Sequence, residues 1–339
     1  MCFKPPTNMS TISEYFITKL KKQVPKNISL TEEVAAILGI NYDAAYRRLK
    51  NKVAFTIEET ILLAKKFDIS LNELYEIGES NSYLVKETSS IKQLHDFTIY
   101  FENLHQELKF LVGRPDASIL FSARELPMFY FFNNPLLLRF KIFIWFAILK
   151  VTHVNKNIKF SDFTILDKLI QNAQKVAEAY TTINLTEMWS YGAINNVLQQ
   201  LLYFYRMKQI DLASVQEICI ALKNELKKIE YRTLNGENNQ TTSYHLYSND
   251  LLMMNNSMIV KNKDKLTFGY PYALLKFFTI NNQKACKEQE LYIREQMHHA
   301  TCITNTSIKE HRAFFNHKYA KIDQVLAVIK NEESKPLFL

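Results

Sequence analysis

Apolar residues recur at helical spacing along most of this chain. Phe97, Phe101, Leu104, Leu108 and Leu111 follow one another at intervals of four, three, four and three, the heptad seam of a helix. Phe163, Leu166, Leu169, Ile170, Ala173 and Val176 form a second helical stripe. Further helices are predicted over 186–208 and 211–229, the latter with Leu212, Val215, Ile218, Leu222, Leu226 and Ile229 on one face. Residues 117–122 read as a short strand or an extended link, and residues 235–239 as a loop. From Tyr244 to Ile280 aromatic and β-branched residues alternate, with polar breaks at Asn249-Asp250, Asn255-Asn256 and 261–264. That texture predicts two to four antiparallel strands. Helical patterns return over 288–299 and from Ser307 toward Ile329. The expected fold class is mainly α, with a small antiparallel sheet near residues 244–280.

The first 78 residues carry the densest punctuation. A Ser or Thr followed three residues later by Glu marks a helix start, because each side chain satisfies the other's backbone N–H. The pattern occurs at Thr11/Glu14, Ser29/Glu32, Thr56/Glu59 and Ser70/Glu73. Asn41 adds a fifth start, so a five-helix domain is predicted. Between the second and third helices, Ala35 is small enough for close helix approach. Gly39 can adopt the positive φ of a tight turn, and Ile40 plugs the corner. The helix after it, Tyr42 to Lys50, carries Tyr46, Arg47, Arg48 and Lys50.

Val34-Ala35, Leu38-Gly39-Ile40-Asn41 and the run from Phe55 to Leu74 resemble the lambda-repressor-like (XRE, Cro-like) helix-turn-helix family. The resemblance covers about a fifth of the chain. It implies a sequence-specific DNA-binding transcriptional regulator, with the Tyr42–Lys50 helix in the major groove of double-stranded DNA. It places Asn41, Tyr42, Asp43, Tyr46, Arg47, Arg48, Lys50 and Lys52 at the DNA, Arg47 and Lys50 toward bases, Arg48 and Lys52 toward phosphates. One position departs from the family pattern. An apolar residue usually stands three after Ala45, where this chain has Arg48; here Leu49 follows at four. Both spacings share a helix face, so packing survives on a slightly rotated recognition helix.

The expected organisation is a DNA-binding domain over 1–78, a linker over 79–90 and a helical regulatory or oligomerisation region over 91–339. Net charge is +8 with pI near 9.0, which favours an anionic partner. Residues 1–78 contribute only +2 of it, from eleven Lys plus Arg against nine Asp plus Glu. The useful charge is therefore local, at Arg47, Arg48, Lys50 and Lys52. Phe97, Phe101, Leu104, Leu108 and Leu111 offer about two heptads, fewer than a stable coiled coil wants. The seam either packs onto its own chain or joins two chains as a homodimer, which a palindromic site would use. The apolar run 135–149 contains Arg139 and Lys141 and falls short of a bilayer span; it reads as a buried core helix, with no membrane partner. Four scattered cysteines and no apolar leader at the first residues fit a cytoplasmic protein.

Catalytic signatures are missing. Only six glycines occur, none within thirty residues of another, so no phosphate-cradling loop can form. There is no HExxH and no GxSxG. No enzyme activity, cofactor or metal is expected. His298, His299, Cys302, His311 and His317 are a weak ligand set for zinc, which usually draws on more cysteines. Arg124, Glu125 and Arg139 lie near the aromatic clusters 129–132 and 140–146. Those clusters either fill a core or line a pocket for a small apolar effector. A competing function class is a protein-interaction module with a relic helix-turn-helix bundle.

Overall fold

The computed structural model describes residues 9–24, 29–67, 69, 71, 85–87, 91–149, 158–239, 242–249, 255–304 and 306–334. The chain divides into two compact units, 1–84 and 85–339.

In the first unit α1 spans Met9–Gln23, α2 Leu30–Leu38, α3 Tyr42–Leu49 and α4 Ile57–Lys66. Phe16, Ile17 and Leu20 of α1 bury against Val34, Ala45, Leu49, Leu63, Ala64 and Ile69. Phe55, just before α4, closes this core edge-on against Phe16 at 5.9 Å. α1 begins two residues before the expected cap at Thr11, within the usual variation of helix ends. The fifth helix expected at Ser70/Glu73 lies outside the described residues.

The second unit is built on a mixed sheet. Its strands are β1 (Val85–Glu87), β2 (Ala117–Ala123), β3 (Asn184–Trp189), β4 (Glu237–Asn239), β5 (Thr242–Ser248), β6 (Ser257–Asn262), β7 (Lys265–Ala273), β8 (Lys276–Ile280) and β9 (Thr301–Cys302). They order as β1-β8-β7-β6-β2-β3-β5-β4, with β9 also on β5. β2, β3 and β5 run parallel, with Leu120 opposite Thr186 and Thr186 opposite His245. β6, β7 and β8 continue antiparallel from β2. The helices are α5 (Leu94–Lys109), α6 (Pro135–Ile148), α7 (Asp167–Tyr180), α8 (Asn195–Arg206), α9 (Leu212–Asn235), α10 (Gln283–Met297) and α11 (Ile308–Glu333).

Alternate side chains of the central strands serve opposite faces. Ile119, Phe121, Leu185, Trp189, Tyr244 and Leu246 join the main core with α5–α9 and α11. Leu120, Met188, Ile259, Leu266 and Phe268 point the other way, under Cys286 and Ile293 of α10.

This architecture corrects the expected small antiparallel sheet. β2 and β3 are buried on both faces and so lack the polar alternation that betrays a strand. The helix predicted over 186–208 merges β3 with α8, because Asn184–Trp189 is too short to set its own period. The predicted linker 79–90 overlaps β1, which pairs with β8 through Val85 and Ile280. The run 135–149 is a buried core helix, as expected: nine residues of α6 are buried. Among the described residues no helix is long and apolar enough to cross a membrane.

The main core encloses polar groups in aromatic cages. Glu187 of β3 is fully buried and accepts hydrogen bonds from Tyr130 Oη at 2.7 Å, Tyr244 Oη at 2.9 Å, Trp189 Nε1 at 3.0 Å and the Tyr180 hydroxyl. The Arg232 guanidinium stands over the Tyr130 and Tyr244 rings at 5.2 and 5.7 Å. Burial raises the Glu187 pKa, while the three tyrosine hydroxyls and Arg232 resist the rise. Lys141, 5 % exposed, sits over the Phe131 and Trp145 rings and donates to Gln200 Oε1 at 3.2 Å. Lys318 is 3.5 Å above the Phe314 ring and donates to the Tyr191 carbonyl.

Candidate DNA interface

Local sequence explains each step of the helix-turn-helix. Ser29 Oγ accepts from Glu32 N and caps α2. Gly39 ends α2 at φ 63°, ψ 31°. An added Cβ there meets nothing within 4 Å, so the left-handed backbone, not crowding, selects glycine. Ile40 N returns to the Ala35 carbonyl at 3.1 Å. Asn41 then caps α3, its Oδ1 accepting from Ala44 N at 2.8 Å. Ala35 is half-buried in the helix crossing.

α3 buries Ala45 and Leu49 and exposes Tyr42, Asp43, Tyr46 and Arg47, with Lys50 exposed just past its end. Leu49 thus takes the core position that the family pattern assigns one residue earlier. Tyr42 and Tyr46 stack at 6.5 Å with 12° between their planes. Lys50 Nζ lies 5.5 Å from the Tyr46 centroid. The three form a ladder at i, i+4 and i+8, with Asp43 and Arg47 beside it.

Two members of the expected DNA set are otherwise engaged. Arg48 is half-buried and grips Glu59 of α4 with Nε to Oε2 at 2.9 Å and Nη2 to Oε1 at 2.8 Å. Its Nη1 also reaches the Ala44 carbonyl. Glu59 closes the Thr56 capping box as well, accepting from Thr56 N. The Arg48 hydrogen bond is the main cause holding the Glu59 carboxyl below its ordinary pKa. Arg48 therefore ties α3 to α4. Position 48 sits on the flank of α3 because Ala45 and Leu49 define its inner face. Asn41 gives its carbonyl oxygen to the cap.

Lys52 is exposed on the turn after α3. Asn51 there adopts φ 55°, and Lys52 N bonds to the Arg47 carbonyl at 2.8 Å. Asn at a left-handed helix terminus is a recognisable signal that the sequence reading passed over. It also missed the outer face of α4, where Ile57, Ile61 and Leu62 are 75, 37 and 51 % exposed. Ile57 stands at N1, and its burial could not be judged from spacing alone.

The expected dimer seam is not available. Phe97 stacks on Trp145 at 6.4 Å, Phe101 meets Phe132 at 4.8 Å, and Leu108 and Leu111 are buried in the main core with Leu104 half-buried beside them. α5 packs chiefly on α7, so the heptad faces its own chain. The aromatic clusters also pack on one another: Phe129 stacks on Tyr180 at 3.9 Å, and Phe143 touches Phe160, Phe163 and Phe204. Arg124 is exposed and Arg139 lies on the Phe160 ring. Glu125 N donates to Asn256 Oδ1. Of the weak metal set, His311 is buried against Thr233 Oγ1 at 2.8 Å and His317 lies on Tyr191. His298 and His299 are exposed and Cys302 half-buried. Among the described residues no group of three such ligands is placed to hold a metal.

Residues 14–119 match the family model of the BetR domain, a helix-turn-helix-type DNA-binding domain family. The matched stretch takes in all of α2–α4 and extends through α5 into β2. No curated protein and no solved structure gives a significant match.

Proposed function

We propose that this chain is a sequence-specific, DNA-binding transcriptional regulator of the lambda-repressor-like kind, with a regulatory region behind its reader. The observation that carries the reading is the outward face of α3, where Tyr42, Tyr46, Arg47 and Lys50 stand together on a helix held by its caps and by Arg48–Glu59. The match to a DNA-binding domain family supports it. Arg47 and Lys50 reach base edges, Asp43 is placed to accept from a cytosine amine, and Lys52 meets phosphate. The Tyr42–Tyr46 rings supply apolar contact to thymine methyls. No catalytic step belongs to this function, and it is exercised in the cytoplasm on chromosomal DNA.

Two copies acting on a palindrome complete the reading. With the α5 seam buried, the pairing surface is the apolar side of α4, at Ile57, Ile61 and Leu62. Selection of bound sequences from a random duplex library by the full chain tests the function. Enrichment of an inverted repeat, lost in a folded Arg47→Ala/Lys50→Ala variant, is the expected result. Recovery of no common sequence, with binding that merely fades with salt, would overturn it.

A further inference from the structure

Beneath α10, on the sheet face away from the main core, lies a cavity of ≈ 210 Å³. Its floor is Ser122 and Ser257, directly opposed on the antiparallel strands β2 and β6. Its roof is one side of α10, where Gln289, Ile293 and Gln296 follow at i, i+4 and i+7. Phe268 and Tyr270 of β7 and Tyr292 of α10 form aromatic walls. Asn255 also borders it and donates to Tyr270 Oη at 3.3 Å.

Ser122, Ser257 and Gln296 are only 4, 7 and 6 % exposed. Their side chains form no hydrogen bond with any described residue. Buried hydroxyls and amides almost always have partners, because leaving one without is costly. None of the three has a polar atom both sealed from solvent and without a partner, so they turn to the cavity for partners, which a ligand's hydroxyls can supply in place of water. The place suits it: Ser122 is at the carboxyl end of β2, where the parallel strands give way to the antiparallel ones, the region where α/β sheets bind ligands.

We infer that this cavity is a binding site for a single uncharged, hydroxyl-bearing ring of the neutral monosaccharide class. Among the described residues lining it there is no Asp, Glu, Lys, Arg or His. An ionic ligand would lose its hydration there with no counter-charge. A wholly apolar one would strip water from the three polar groups and give them no partner in return. Serine hydroxyls and glutamine amides both donate and accept, which matches a ring of hydroxyls. The aromatic walls match a sugar ring's apolar face. The volume admits one ring and not a chain.

The site is independent of DNA reading, because it is tested with no DNA present. Isothermal titration of the full chain with glucose, galactose and N-acetylglucosamine, and with glucuronic acid and adenosine as comparators, gives the readout. Saturable binding of at least one neutral sugar is expected, weakened about tenfold or more by Gln296→Leu or Ser122→Ala. The same variants should leave the unliganded melting temperature nearly unchanged, since both side chains border the cavity and neither bonds to another described residue. Absence of saturable binding by any neutral sugar overturns the assignment. So does binding indifferent to both variants, or binding of glucuronic acid or adenosine alone.

Discussion

The reader and the sheet unit handle charge in opposite ways. In the reader, the groups that matter face outward on one short helix, and burial is left to wholly apolar residues such as Phe16, Leu20, Val34 and Leu63. In the sheet unit, Glu187, Lys141 and Lys318 are turned inward and surrounded by aromatic rings. The contrast teaches where chemistry and stability separate. An outward cation can be removed with little harm to folding. An inward one is part of the packing and must be judged by what it leaves behind.

Removing Glu187 is the strongest way to sharpen that contrast. Glu187→Leu deprives three tyrosine hydroxyls and an indole N–H of their acceptor and removes one of the two carboxylates that favour the Arg232 charge. A loss of about 3–5 kcal/mol in urea-induced unfolding of the sheet unit is expected. A loss below about 1 kcal/mol would mean that the inward charge is dispensable and would break the comparison.

Lys141 comes next and has the opposite sign. Burial lowers its pKa from 10.5 to about 8. Between about pH 8 and 10.5 the unfolded chain therefore holds a proton that the folded chain has released, and stability rises with pH across that window. Below pH 8 the full penalty applies. Lys141→Met should raise stability at pH 7 by about 1–3 kcal/mol and flatten the alkaline rise. Thermal melts at pH 7 and pH 10 read both effects; a variant that is less stable at pH 7 refutes the sign.

In the reader, two adjacent arginines divide the roles. Arg47→Ala should cost about 1–3 kcal/mol on the selected site while leaving the melting temperature of the reader in place. Arg48→Ala should instead lower reader stability by about 1 kcal/mol, because Glu59 loses its partner. The salt dependence of DNA binding should not change in Arg48→Ala. Exchanged outcomes would restore the phosphate role for Arg48. The smallest effect is expected at α4, where Ile57→Ser with Ile61→Ser weakens self-association about threefold in sedimentation equilibrium. An unaltered dimer, or a monomeric parent chain, rules out pairing through this face.

What the sequence disclosed follows the same division. The turn at Gly39, the caps at Ser29, Asn41 and Thr56, and the outward set Tyr42, Tyr46, Arg47 and Lys50 depend on neighbours within a few residues, so spacing reveals them. The Arg48–Glu59 pair was not legible, because Glu59 stands across the turn on another helix. In the sheet unit the legible parts were again local: β2 as a strand or extended link, the Ser307 cap of α11, and α6 as a core helix. The parallel pairing of β2, β3 and β5 depends on residues far apart in the chain. So do the Glu187 cage and the Ser122–Ser257–Gln296 cavity, and no periodicity announces such meetings. The heptad of α5 was real, but its period cannot say whose surface fills it.

The Glu187 cage also bears on the order in which the chain assembles. Its donors come from the segment before α6, the end of α7, β3 itself and β5. During synthesis β2 and β3 emerge long before β5, so their pairing alone leaves a carboxyl short of the Tyr244 donor. A half-built sheet is penalised, and the parallel strands are committed together once β5 docks. Amide hydrogens of β2, β3 and β5 should then exchange through one shared opening, while those of α2 and α3 open on their own terms. A ribosome-bound chain ending before residue 242 would present a folded reader ahead of a sheet still waiting for its third parallel strand.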